Sequence, residues 1–208
     1  MYKKYTEYDD DEQSQNMPLN SPHKFQVLIL ELIISSILYA TFYILNLWIT
    51  TPFTPLNGAH WIFLPAGVAL ILSLIFPVSG PLGIALIVFP IAYFMRFPGE
   101  LMISIGIAIT AGLAPFISRK IVVDGLKIYP DLSNLSLRRL MASVLIYSII
   151  RAVIHHNWYV YLNLREPNTN GLMVEFIGNV VGIVLVLLTF RWLASRFVGT
   201  LNKRQELF

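Results

Sequence analysis

Cysteine is absent from all 208 residues, which excludes disulfides, thiolate nucleophiles and cysteine metal sites. Charge is scarce as well: 13% of residues are Asp, Glu, Lys or Arg, about half the share of a soluble domain. The sequence also has no phosphate-cradling glycine loop, no nucleophile elbow and no zincin histidine pair, so it is read as non-enzymatic. Apolar residues dominate instead, with 56% hydrophobic and a mean hydropathy of +0.65. That balance belongs to integral membrane proteins. The net charge of +3 and pI near 9.2 arise mostly from basic residues flanking apolar segments, where they set topology. Membrane lipid is therefore an expected partner and nucleic acid is not.

A spanning helix takes ~20 apolar residues, and the sequence predicts an all-α bundle of about six. Residues 1–24 form a polar tail, with an acidic run at Glu7, Asp9, Asp10, Asp11 and Glu12. That composition predicts a disordered cytoplasmic segment rather than a signal peptide. The transmembrane domain covers 25–198, and 199–208 are a second cytoplasmic tail. The predicted spans are Phe25–Thr50, Trp61–Phe76, Leu82–Met95, Leu101–Ser118, Leu140–Leu164 and Gly171–Val198. The second and third are short and joined by Pro77–Pro81, so a re-entrant hairpin is an alternative to two full crossings. The second, WIFLPAGVALILSLI with Pro65 and Gly67 near its start, is the stretch around which the chain is organised.

Charge bias orients the bundle. With the N-terminus inside and six crossings, the cytoplasmic side collects Lys3, Lys4, Lys24, Arg119, Lys120, Lys127, Arg138, Arg139, Arg191, Arg196, Lys203 and Arg204. The outside receives Arg96 and Arg165, and Arg151 lies within a span. This is a positive-inside pattern with both termini cytoplasmic, expected in a bacterial inner membrane.

Ionisable residues inside a span are costly, and each marks a candidate site. Ser148, Arg151, His155 and Trp158 recur at three and four and so share one helix face. Glu175, Gly178, Asn179 and Gly182 do the same on the last span. Counted from the outer loop, His155 lies about nine residues deep, Arg151 about thirteen, Glu175 about five and Asn179 about nine. These depths overlap. Together with His60 and Trp61 they predict an outward polar pocket lined by His60, Trp61, Arg151, His155, His156, Glu175 and Asn179. A structural Arg151–Glu175 ion pair is the competing account. No metal is assigned, since adjacent histidines point ~100° apart on a helix, and no cofactor follows from the sequence. Glu31, near the opposite end, is expected to snorkel or to pair with a loop arginine.

Phe63-Leu64-Pro65-Ala66-Gly67, followed by an apolar helix, is similar to the Trp-Pro-Pro-(Ala/Ser)-Gly motif of the MASE1 family of bacterial membrane-associated sensor domains. Ile177-Gly178-Asn179-Val180-Val181-Gly182 resembles that family's Gly-Asp-x-x-Gly pattern, with Asn179 in place of the aspartate and Phe63 in place of the tryptophan. No kinase or cyclic-nucleotide output domain accompanies these motifs here. The resemblance implies a free-standing sensor or accessory module that holds a small ligand or a partner's helix between spans two, five and six. Arg151 would be its anion anchor, with His155 and Glu175 as neighbours. A signalling partner would meet the 119–139 loop and the C-terminal tail. The size and pocket also suit a small substrate-binding component of a transporter, and the small residues of span four suit a structural subunit of a larger complex.

Overall fold

The computed structural model describes residues 22–50, 60–129 and 131–205, with side chains placed through Arg196. The acidic run, the loop at 51–59 and the side chains of Lys203 and Arg204 lie outside the described residues. Among the described residues six helices follow one another: α1 (Pro22–Thr50), α2 (Leu64–Ile75), α3 (Ser79–Ile91, extended by a π turn, Ala92–Arg96), α4 (Leu101–Leu126), α5 (Leu137–Tyr161) and α6 (Thr169–Gln205). Among the described residues there is no strand. Four stretches are long and apolar enough to cross a membrane: His23–Thr50, Ser79–Arg96, Leu101–Leu126 and Thr169–Arg196.

Five helices form a ring in the order α1, α3, α4, α5 and α6, and α2 sits between α6 and α1 while also touching α3, α4 and α5. The short second element therefore packs against every other helix. Its 12 residues span ~18 Å, less than the ~30 Å of a bilayer core. Residues Pro65 through Leu70, Leu72, Ser73 and Leu74 are all buried, so α2 is apolar all round because it is surrounded by protein.

Pro65 sits in the first turn of α2, where its missing N–H costs no helical bond. Phe63, at the N-cap, is extended and its side chain cannot cap. Neighbouring helices supply the missing acceptors instead. Leu64 N–H donates to Asn46 Oδ1 of α1 (2.8 Å) and Phe63 N–H to Gly178 O of α6 (3.0 Å). In an apolar surround, non-helical backbone is stable only where protein covers it, and α1 and α6 cover this segment. The close approach requires Gly178 and Gly182. A Cβ on Gly178 would strike the carbonyl oxygen of His60, and one on Gly182 the carbonyl oxygen of Phe63.

On α1 the buried positions are Ser35, Tyr39, Tyr43, Asn46 and Thr50, while Ile33, Ile37, Leu45 and Trp48 are exposed. Spacings of three and four place the polar stripe on one face. That face turns inward and the apolar one outward, as in membrane bundles whose polar side chains bond between helices.

The described helices run past several predicted limits. α4 continues two turns beyond Ser118 because Ile121 to Leu126 keep a helical run, and it ends where Lys127 adopts a left-handed conformation (φ 52°). The loop reduces to 127–136. In it Asn134 accepts from Tyr129 N–H and donates to Lys127 O, while Arg139 Nη1 binds Asn134 O at 2.7 Å. Ser136 caps α5 by accepting from Arg139 N–H. Residues 22–24 are helical, and α6 continues past 198 to Gln205. The Glu31 carboxylate accepts from Ser79 Oγ at the start of α3. The reversal between α2 and α3 is only Phe76–Val78, which brings Ser79 beside α1.

Candidate functional site

At the other end of the bundle the helices part around a cavity of about 40 Å³. Its apolar wall includes Phe63, Val88, Ile91, Ala92 and Ile107; its polar wall comprises Tyr39, Tyr43, His60, Arg96, Arg151, His155, Glu175 and Asn179. That volume exceeds the ~10–15 Å³ that admits one water and falls far below the ~300–1,000 Å³ of pockets for drug-sized ligands.

Five of the seven predicted residues meet here: His60, Arg151, His155, Glu175 and Asn179. The other two do not. Trp61 is 47% exposed and does not line the cavity. His156 is buried, but on another face of α5, with its ring against Gly171. One residue step on a helix is ~100°, which separates it from His155.

Glu175 does not pair with Arg151. Its Oε1 accepts from Arg165 Nη1 at 2.5 Å and lies 2.7 Å from His155 Nδ1. The side chains of Arg165 and Glu175 are 2% and 6% exposed, so the buried ion pair of this end belongs to Arg165. The loop 162–168 curls back through Asn163 (φ 54°), carrying Arg165 under α6 rather than out to solvent. Arg151 instead donates from Nη1 to Asn179 Oδ1 (3.3 Å) and lies over the Phe63 ring at 4.3 Å from its centroid. The hydroxyls of Tyr39 and Tyr147 lie within its electrostatic reach.

Arg96 completes the cationic wall. Pro90 lies inside α3, and after it the last turn widens so that Phe97 N–H reaches back to Ala92 O (2.8 Å), the i to i−5 bond of a π turn. Arg96 ends that turn, 5.7 Å from the ring centroids of both Phe97 and Tyr159. Tyr159 also receives Arg165 at 5.0 Å and stacks on His155 at 4.4 Å, so one phenol separates the two arginines.

Among the described residues, no carboxylate lies within ion-pair distance of Arg96 or Arg151. Cation–π contacts return ~0.5–2 kcal/mol, against the several kcal/mol of desolvating each charge. Unpaired buried polar atoms remain on both sides: Glu175 Oε2 lacks a hydrogen-bond partner, as do Arg165 Nε and Nη2. An arginine can only donate, so Asn179 must turn Oδ1 toward Arg151, which leaves its buried Nδ2 without a protein partner; His60 Nδ1 lacks one too. Among the described residues no three His, Asp or Glu side chains gather to hold a metal ion.

Arg96, Arg165 and the tyrosines of α1 escaped the sequence reading. The arginines were read as outer-loop charges because each follows a span. Tyr39 and Tyr43 did carry a signal, their four-residue spacing within the polar stripe of α1. No protein-family model, curated protein or solved structure matches the chain, so the meaning of the cavity rests on its own chemistry.

Proposed function

We propose that this chain is a six-helix bacterial inner-membrane protein of MASE1-like sensor or accessory type. It catalyses no reaction, and it receives a small ligand from the extracytoplasmic side in the cavity at Arg151. Both termini face the cytoplasm in this reading, as the distribution of Lys and Arg favours. α5, with Arg151 and two histidines, then crosses because its charges face protein rather than lipid. The 127–136 loop and the end of α6 lie on the cytoplasmic side, where they are available to a signalling partner.

One observation carries the reading. The segment from Phe63 to Gly67 packs directly on Gly178, Gly182 and Val186, and the cavity opens beside that contact. The two stretches that resemble the sensor family are thus neighbours in space and both border the site. The absence of native cysteine makes the test clean. Asn168→Cys, in the loop that precedes α6, should react with a membrane-impermeant thiol reagent added outside intact cells. Ser133→Cys should react only after the cytoplasmic side is opened. Protection of Asn168→Cys from the outside would refute an outward placement of this end of the bundle. Arg151→Ala should accumulate in the membrane at wild-type levels, and failure to accumulate would make Arg151 a structural residue instead.

A further inference from the structure

We infer that the cavity is a site for one small monovalent anion, a halide or a carboxylate no larger than formate, held between Arg151 and Arg96. This rests on the reading of the cavity as a ligand pocket, and it adds the ligand's charge, size and second anchor.

The charge follows from where the ion pairs lie. Glu175 is the one carboxylate of the wall; its Oε1 is taken by Arg165 and His155, and its buried Oε2 has no hydrogen-bond partner. Arg96 and Arg151 face the same space, within range of each other's field, with no carboxylate at ion-pair distance from either among the described residues. Their mutual repulsion and desolvation are relieved by an anion and worsened by a cation. Asn179, 1% exposed, adds an amide donor that no protein group accepts. A neutral ligand would leave both guanidinium groups without an ion-pair partner.

Size and valence follow from the walls. A cavity of about 40 Å³ has room for a few water-sized groups, which suits a halide or formate better than gluconate. The surround is apolar on the α2, α3 and α4 sides, and the desolvation cost of an ion grows with the square of its charge, roughly fourfold for a dianion. Sulfate is therefore disfavoured on both counts. The cation–π contacts to Phe63, Phe97 and Tyr159 hold the two guanidinium groups in place before the anion arrives, so little ordering remains for binding to supply.

The experiment is thermal unfolding of the full chain in lipid nanodiscs, prepared in gluconate and titrated at constant ionic strength. Chloride or formate should raise the midpoint saturably, by about 3–6 °C at tenfold over half-saturation. Sulfate and formamide, the latter a neutral match to formate in shape, should not. Arg96→Gln should unfold in gluconate at or above the wild-type temperature, because it removes an uncompensated charge, and should no longer respond to chloride. Arg96→Lys should keep part of the response. Equal stabilisation by sulfate, chloride and formate would reduce the effect to screening and overturn the inference. Stabilisation by formamide equal to that by formate would also overturn it while leaving a ligand pocket in place. No response to any probe would remove both the anion and the pocket. The wild-type comparison stands even if an arginine variant fails to fold.

Discussion

Gly182→Ala tests the seating of α2 most directly. The added methyl would meet the carbonyl oxygen of Phe63 and come within 2.9 Å of Leu64 N. These are backbone atoms, which cannot rotate away as a side-chain tip can. Overpacking of this kind costs ~1–3 kcal/mol. If the segment retreats, Phe63 N–H also loses Gly178 O, a further ~1 kcal/mol. The expected loss is thus ~2–4 kcal/mol, or about 5–15 °C in the unfolding midpoint of a chain this size. Gly125→Ala is the control. It lies in the last turn of α4 with nothing within 4 Å of a new Cβ, and replacing a helical glycine there should gain ~0.5–1 kcal/mol. Reversible unfolding of both variants in bicelles gives the comparison. A Gly182→Ala loss below ~1 kcal/mol, or losses of equal sign at both sites, would refute the close backbone approach of α2 and α6.

Three further outcomes follow from the geometry. Arg165→Met should cost ~3–5 kcal/mol by stranding Glu175, and Arg165→Met with Glu175→Met should cost less than the sum by ~1–3 kcal/mol; additive losses in a double-mutant cycle would dismiss the pair. Ser79→Ala removes the donor to Glu31 and should cost ~1.5–3 kcal/mol, whereas Glu31→Gln keeps an acceptor and should cost less than ~1 kcal/mol; equal losses would show that charge, not the hydrogen bond, matters. In the 127–136 loop, donation from Ser133 N–H and Oγ to Asp131 Oδ1 (3.1 and 2.8 Å) lowers the Asp131 carboxyl below its ordinary range. A depressed folded value contributes stability above the unfolded pKa, and this is lost as pH falls through the folded one. Carboxyl NMR titration should show Ser133→Ala moving it back up.

The helices were legible because their signals are local. Apolar runs, Pro65 in a first turn and the polar spacing of α5 and α6 each reflect one element's own periodicity. Depth counting along α5 and α6 brought Arg151, His155, Glu175 and Asn179 to one level, and these four do line one cavity. The pairing among them was not legible. Arg165 lies in a loop, and only the left-handed turn at Asn163 directs it inward to Glu175. Arg96 ends a π turn, which displaces its side chain from the direction a regular helix would give. The end of α4 is not legible because Arg119 and Lys120 mark only the edge of the apolar span, and helix and hydrophobic segment need not stop together.

Assembly order must run against chain order at the centre of this bundle. The Phe63 amide has its acceptor on Gly178, well over a hundred residues downstream. A ribosome delivers α2 second, yet its leading strand has no complete set of partners until the last helix has entered. Before that moment α2 is a half-length rod with bare amide groups; afterwards it is locked on every side. A chain truncated just before Gly178 should therefore retain α1, α3, α4 and α5 as inserted helices while leaving the element they surround without a fixed seat.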